Sequence, residues 1–340
     1  MLEVYKNARC QLMPVKKYIP DVKRKNTQRC VVDAPAEHWI YHFLPQWLWP
    51  YAQLSRWDQP IGWQLLLWPC WWSFALATIV HNQKDTTLAC VGLAWQLLLF
   101  LIGAVAMRGA GCTYNDLIDQ NIDKAVKRTG SRPLPSGKVN RKQAVFFMVL
   151  QSLVGFLVLV QFNVLTVILG FASLVIVAFY PFMKRITDWP QFFLGLAFSW
   201  GALLGWTANR GSLDWPPILL YLGSVFWTIG YDTIYAHQDK DDDVLVGVRS
   251  TACLFGQRTK SALFFLYGLM LIFITSSFIS AHIPLITLSS VIFAAIHLFY
   301  QIQALDINSP DACLHLFKSN KIVGLLIFLG LILGKIWIIL

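Results

Sequence analysis

Residues 88–123 read LACVGLAWQLLLFLIGAVAMRGAGCTYNDLIDQNID. The run from 88 to 112 carries a single charge, Arg108, and is long enough to cross about 30 Å of hydrocarbon as a helix. Directly after it come three carboxylates, Asp116, Asp119 and Asp123, at i, i+3 and i+7. On a continuing helix they share one face, with Asn115 at its edge. The stretch therefore predicts a membrane-spanning helix that delivers an acidic face to one end of the span.

Comparable apolar runs recur along the chain. We expect nine spans, over 61–81, 88–112, 143–162, 164–182, 190–209, 215–236, 261–281, 284–304 and 321–340. The predicted fold is an all-α integral membrane protein of about nine transmembrane helices around a central cavity. Composition agrees: 340 residues, 56% hydrophobic, only 14% charged, with a mean hydropathy of +0.53, more apolar than a soluble domain needs to fill its core. The formal charge of +10 does not indicate nucleic acid, because the basic residues punctuate apolar runs instead of forming a face on a polar body. The seven cysteines make no CxxC pair and no His/Cys cluster, so neither zinc nor a disulfide framework is indicated.

Residues 1–50 read as a basic and aromatic extension that meets the membrane surface, and 51–340 as the transmembrane domain. No cleavable signal peptide is visible. The extension is basic but lacks serine and has Glu3 near its start, a weak transit signal, so a bacterial inner membrane is expected ahead of a mitochondrial one. Orientation follows from loop charge. With the N-terminus in the cytoplasm, the loop with Lys124, Lys127, Arg128, Arg132, Lys138, Arg141 and Lys142 is inside. So are Lys184 and Arg185, the loop with Lys240, Arg249, Arg258 and Lys260, and Lys318 with Lys321. The outer loops hold only Lys84 and Arg210.

That topology puts a second acidic cluster on the same side as the first: Asp232, Asp239, Asp241, Asp242 and Asp243. If one helix runs through it, Asp232, Asp239 and Asp243 fall within about 20° of a common line and Asp241 points away to solvent. The second and sixth spans also end alike, in Gly111-Cys-Thr-Tyr-Asn-Asp and Gly230-Tyr-Asp-Thr, which suggests two pseudo-repeated halves enclosing one cavity. Carboxylates this close repel unless a cation sits between them, and hard oxygens facing a phosphate-bearing substrate suit Mg²⁺. Arg128, Arg132, Lys184, Arg185 and Arg249 lie on the same side and can supply diphosphate donors. A cation-coupled transporter would place ionisable groups deep in its spans, whereas here they sit at span ends. A phosphatidyl-alcohol transferase would carry a compact Asp-Gly-x-x-Ala-Arg string, which is absent.

Two passages then resemble the UbiA superfamily of intramembrane prenyltransferases. One is Asn115-Asp-x-x-Asp-x-x-x-Asp123 with Arg128-Thr-Gly-Ser-Arg-Pro-Leu-Pro-Ser-Gly137; the other is Tyr231-Asp-Thr-Ile-Tyr-Ala-His-Gln-Asp-Lys-Asp-Asp-Asp243 with Ser250-Thr-Ala. The segments around Arg56-Trp-Asp-Gln-Pro-Ile-Gly-Trp and Tyr180-Pro-Phe-Met-Lys-Arg-Ile-Thr-Asp-Trp-Pro-Gln191 resemble the branch that prenylates 4-hydroxybenzoate for ubiquinone. Two positions depart from that branch: Gln59 and Arg249 stand where lysine is usual.

The resemblance implies transfer of a polyprenyl group from its diphosphate to the 3-position of 4-hydroxybenzoate. It implies Asn115, Asp119 and Asp123 on one Mg²⁺ and Asp239 and Asp243 on another, with Asp116 and Asp232 close by. Arg132 and Lys184 would hold the diphosphate, and Arg56 and Arg185 the acceptor's carboxylate. The ring proton would go to a carboxylate such as Asp232 or to the leaving diphosphate. Membrane lipid surrounds the polyprenyl tail, with Trp68, Trp71, Trp72 and Phe74 as candidates to line its route, although core packing or an interfacial belt is the ordinary reading of any one of them.

Overall fold

The structure, a computed structural model, describes residues 38–81, 87–126 and 128–340. Residues 1–37 of the expected extension, and the loop residues Lys84 and Lys127, lie outside them. Two short helices, α1 (Ile40–Phe43) and α2 (Trp49–Leu54), lead into the bundle. Then follow α3 (Ile61–His81), α4 (Thr87–Ala125), α5 (Arg141–Leu159), α6 (Val164–Ile186), α7 (Pro190–Ser199), α8 (Gly201–Arg210) and α9 (Trp215–Ala236). The rest is α10 (Lys240–Val246), α11 (Thr251–Phe255), α12 (Thr259–Ser280), α13 (Leu288–Ala304) and α14 (Pro310–Ile339). The fold is all-α, as expected.

Seven described helical stretches are long and apolar enough to cross a membrane: Ile61–Val80, Val91–Ala125, Arg141–Leu159, Val164–Ile186, Thr251–Ser280, Leu285–Ala304 and Pro310–Ile339. The other two expected spans are helical but differ in kind. The stretch 190–209 breaks at Trp200 into the ten-residue α7 and α8. The helix α9 is long enough, but its two prolines, two tryptophans and three tyrosines lower its hydropathy. It is also largely enclosed, burying Leu220, Trp227, Tyr231 and Ile234 among α7, α12 and α14. A helix clad by neighbours is solvated by protein and does not need a lipid-facing surface.

Polar side chains at the ends start the helices where the sequence provides them. Asn140 accepts from Gln143 N while the Gln143 side chain accepts from Asn140 N, a reciprocal cap for α5. Asn163 caps α6, Ser250 caps α11 and Ser309 caps α14.

Aromatic packing joins the central helices. Trp72 on α3 and Trp227 on α9 are fully buried with ring centroids 5.0 Å apart. Each indole N–H is satisfied on α14, Trp72 by Gly324 O and Trp227 by Asn320 Oδ1, both at 2.8 Å. Trp72 and Phe74 are thus core residues, and Trp68 and Trp71 cluster with Phe328 of α14. None of the four lines the central cavity, which corrects their candidacy for the tail route. The helices α3 and α8 meet backbone to backbone at Gly205, where a Cβ would stand 2.3 Å from Cys70 O.

Candidate active site

At 39 residues, α4 is about 58 Å long, well beyond the ~30 Å hydrocarbon thickness. Its C-terminal turns therefore project past the apolar span, and they carry Asn115 to Asp123. Asp116 and Asp119 are 0% exposed and Asp123 is buried, so the shared face predicted from their spacing is turned inward.

Each carboxylate meets a cation from another segment. Arg56 Nη2 donates to both oxygens of Asp116 at 2.7 and 3.0 Å, and Arg132 Nη1 bridges Asp116 and Asp123 at 3.5 and 3.4 Å. Lys184 pairs with Asp119, and Arg185 Nη2 reaches Asp119 at 3.1 Å from the outer side. Both come from the last turn of α6, which the C-cap at Thr187 ends. Arg56 adopts φ 56°, a left-handed conformation that costs a non-glycine residue roughly 1 kcal/mol or more. Its guanidinium is also tied to Gln53 O at 2.7 Å.

The second acidic cluster does not lie on one helix. The helix α9 ends at Ala236 and α10 begins at Lys240, with Asp239 at the N-cap position of α10. The common line expected through Asp232, Asp239 and Asp243 therefore fails, because the chain leaves helical geometry between them. The turn still brings the three into one pocket, and Asp241 is exposed to solvent as expected. Arg128 clamps Asp239, with Nε–Oδ1 at 2.7 Å, and donates to Tyr235 Oη at 3.1 Å. Arg249 is half exposed, 3.9 Å from Asp188, and donates to Ile186 O at 3.2 Å. Burial, followed by the charge of Asp239, pushes the Asp243 carboxyl up to about 7.

Two cavities meet here. A polar one of about 210 Å³ is lined by Asn115, Asp123, Arg128, Arg132, Lys184, Asp232, Asp239, Asp243 and Arg249. An apolar one of about 610 Å³ extends along α4 from Asp116 to Leu99, between α5, α6 and α8. That is about 25 Å of helix. Asn115, Arg128, Arg132, Tyr180, Asp232 and Tyr235 border both. The far end of the large cavity is stopped by Phe100 and Phe162, stacked at 4.9 Å. Phe156 of α5 and Phe171 of α6, 43% and 49% exposed, line it at its lipid-facing edge.

One lining residue was noted in the sequence only as a charge within a span. Arg108 lines the apolar cavity, its guanidinium 5.0 Å from the Phe198 ring, and its buried Nε has no hydrogen-bond partner. The signal was available, since a lone arginine at membrane depth marks a functional group by default.

Among the described residues no three His, Cys, Asp or Glu side chains are gathered as a ready metal cluster. The donor set nonetheless fits a hard divalent cation. Asn115 and Asp123 on one wall and Asp239 and Asp243 on the other offer only oxygen ligands, with cations around them to balance a bound diphosphate; Asp119, expected as a third ligand on the first wall, lines neither cavity and is buried against Lys184, which lines the polar one.

An apolar channel opening into a charged vestibule at helix ends defines an intramembrane enzyme that handles a long apolar substrate with an anionic head. Residues 66–332 match the UbiA prenyltransferase family, and the chain belongs to it. It is 48% identical over 288 residues to the mitochondrial 4-hydroxybenzoate polyprenyltransferase of Drosophila pseudoobscura pseudoobscura, covering 84% of this chain and 70% of that one. The same fold is seen in the apo structure of a UbiA homolog from Aeropyrum pernix K1, with a TM-score of 0.64, 21% identity, and 79% and 97% coverage of the two chains. A UbiA homolog from Archaeoglobus fulgidus bound to GPP and Mg²⁺ superposes with a TM-score of 0.60 at 19% identity, covering 84% and 99%.

Proposed function

We propose that this protein transfers a polyprenyl group from polyprenyl diphosphate to the 3-position of 4-hydroxybenzoate in ubiquinone biosynthesis, using Mg²⁺. The observation that carries the reading is the pair of joined cavities: one apolar and elongated, the other lined by carboxylates and cations, with Asp232 on the border between them. The similarity to the Drosophila enzyme supplies the acceptor, and the archaeal homolog bound to GPP and Mg²⁺ supports the metal. The mitochondrial relative favours the mitochondrial inner membrane over a bacterial one.

In this reading Asn115, Asp119 and Asp123 would hold one Mg²⁺, and Asp239 and Asp243 the other. The metal, when bound, neutralises charge that develops on the diphosphate oxygens. Arg128, Arg132, Lys184 and Arg249 donate to the same oxygens, exchanging carboxylate partners for phosphate. The allylic C–O bond breaks, its electron pair leaves with diphosphate, and ring carbon 3 of the acceptor bonds to the prenyl carbon. The proton lost from that ring carbon passes to Asp232.

Arg108 binds the acceptor's carboxylate, a role expected of Arg56 and Arg185 from sequence. Arg56 is already engaged with Asp116, and Arg185 lines neither cavity. The apolar walls exclude water from the cationic prenyl fragment. An isoprene unit advances roughly 5 Å over four carbon–carbon bonds, so the cavity accommodates about five units. A longer tail leaves past Phe156 and Phe171 into lipid.

The test is product formation in membranes supplied with 4-hydroxybenzoate and a polyprenyl diphosphate. Turnover is expected only with Mg²⁺ and is expected to disappear in Asp119→Asn and in Asp239→Asn. Wild-type rates in both variants would remove the metal assignment, and absence of any prenylated benzoate from the wild-type protein would remove the reaction.

A further inference from the structure

Gly62 is the second residue of α3, buried and on the wall of the apolar cavity. Arg108 of α4 stands against it on the same wall. A Cβ at position 62 would come 2.6 Å from Arg108 Nε, 3.0 Å from its Nη2 and 3.1 Å from its Cζ, all inside the separation at which such atoms attract. The Nε–Nη2 edge of the guanidinium therefore takes the room that a side chain at 62 would need. The guanidinium carbon lies 5.0 Å from the Phe198 ring of α7, within cation–π reach. The buried Nε has no hydrogen-bond partner among the described residues. A planar cation set against helix backbone on one edge and beside an aromatic ring has a defined position without a bond at Nε.

We propose that Gly62 is a specificity-determining residue: by carrying no side chain it seats the Arg108 guanidinium at the cavity wall, where that charge selects an aromatic acceptor bearing a carboxylate over a neutral one. This rests on the reading that Arg108 binds the acceptor's carboxylate. A guanidinium in an apolar cavity gains far more from an anionic partner than from a neutral one, and its fork matches a carboxylate only in a fixed geometry. Alanine at 62 forces the guanidinium away from α3 and out of that geometry. The three nearest atoms it meets all belong to the end of a flexible side chain and none to backbone, so the packing of α3 on α4 is spared. Gly205 is the contrast, because a Cβ there meets the Cys70 carbonyl and the Phe74 N, which cannot swing aside.

Gly62→Ala should keep its melting temperature and its KM for polyprenyl diphosphate near wild type, while the KM for 4-hydroxybenzoate rises roughly tenfold. The ratio of kcat/KM for 4-hydroxybenzoate to that for 4-hydroxybenzamide, which keeps the ring and phenol but lacks the charge, should fall by the same factor. Combining Gly62→Ala with Arg108→Leu should give the acceptor KM of Arg108→Leu alone, because a residue that acts only through the guanidinium then has nothing to act on. A merely structural role predicts a lower melting temperature with unchanged acceptor preference, or a further loss in the double variant, and either result overturns the proposal. Arg108→Leu tests the reading beneath it. If that variant prefers acid to amide as wild type does, the role of Arg108 falls and that of Gly62 with it. An Arg108→Leu that loses the preference, beside a Gly62→Ala that keeps it, overturns the Gly62 inference alone.

Discussion

Asp116→Ala removes the acceptor of a bidentate pair whose side chains are 10% and 1% exposed, leaving the Arg56 guanidinium buried beside an empty site. Removing one member of a buried pair typically costs about 3–5 kcal/mol, because the remaining charge is uncompensated. The lower end applies here. Arg56 keeps its bond to Gln53 O, and Arg132 keeps Asp123 at 3.4 Å. For a protein of this size about 3 kcal/mol corresponds to a drop of roughly 6–12 °C in melting temperature. Replacing both partners, Arg56→Met with Asp116→Leu, removes the stranded charge as well as the attraction, and the double variant should regain most of the loss.

The assay is thermal unfolding of the purified protein in detergent, at one scan rate because membrane-protein unfolding is commonly irreversible. Should the double variant melt lower than either single one, or Asp116→Ala melt with wild type, the pair is not the clamp between the chain before α3 and the acidic end of α4 that the geometry describes. A clamp also separates stability from acceptor binding, since Arg56 then acts on the position of α4 and not on the aromatic acid.

The raised Asp243 carboxyl gives a pH dependence. Its ordinary value is 3.8 and the folded protein holds it near 7. Across that window the unfolded chain has released a proton the folded one keeps, so this group's contribution to stability falls as pH rises. Mg²⁺ needs the carboxylate, so its affinity should rise over the same window. Melting curves with and without Mg²⁺ should show a larger metal-induced gain at pH 8 than at pH 6, and Asp243→Asn should abolish the difference. Arg108→Leu should raise the KM for 4-hydroxybenzoate roughly 10- to 150-fold, the worth of one charge-assisted contact of about 1.5–3 kcal/mol, and leave the KM for polyprenyl diphosphate unchanged in steady-state assays. Gly205→Ala should destabilise by more than the ~1–3 kcal/mol usual for overpacking, because its Cβ meets the Cys70 carbonyl and Phe74 N rather than a mobile side chain. Gly268→Ala, with open space around it, should melt within a degree or two of wild type.

The all-α membrane class and the first acidic face were readable along the chain, because each depends on local periodicity. Apolar runs of span length need helices, and the i, i+3, i+7 spacing survives wherever α4 stays continuous, as it does to Ala125. The clustering of cations on the same side as both acidic motifs was likewise legible from loop charge. What local pattern could not supply is where a helix stops under tertiary constraint. The residues from Asp232 to Asp243 have the spacing of one helical face, yet the chain turns at His237–Asp239 and gathers the three carboxylates by folding back. Span number is similar, since α9 is clad by other helices and so escapes the hydropathy that lipid demands.

Partner choice was also settled in three dimensions. Arg56 lies sixty residues from Asp116 along the chain and Arg128 more than a hundred from Asp239, so nothing in the sequence states that these cations clamp those carboxylates. By itself the sequence determined which chemical groups come to one side of a membrane, because charge and apolar length are properties of segments. Only the tertiary structure decided which cation faces which carboxylate, which aromatic is core and which lines the channel, and that Arg108 looks into the cavity, because burial and pairing belong to surfaces that distant segments make together.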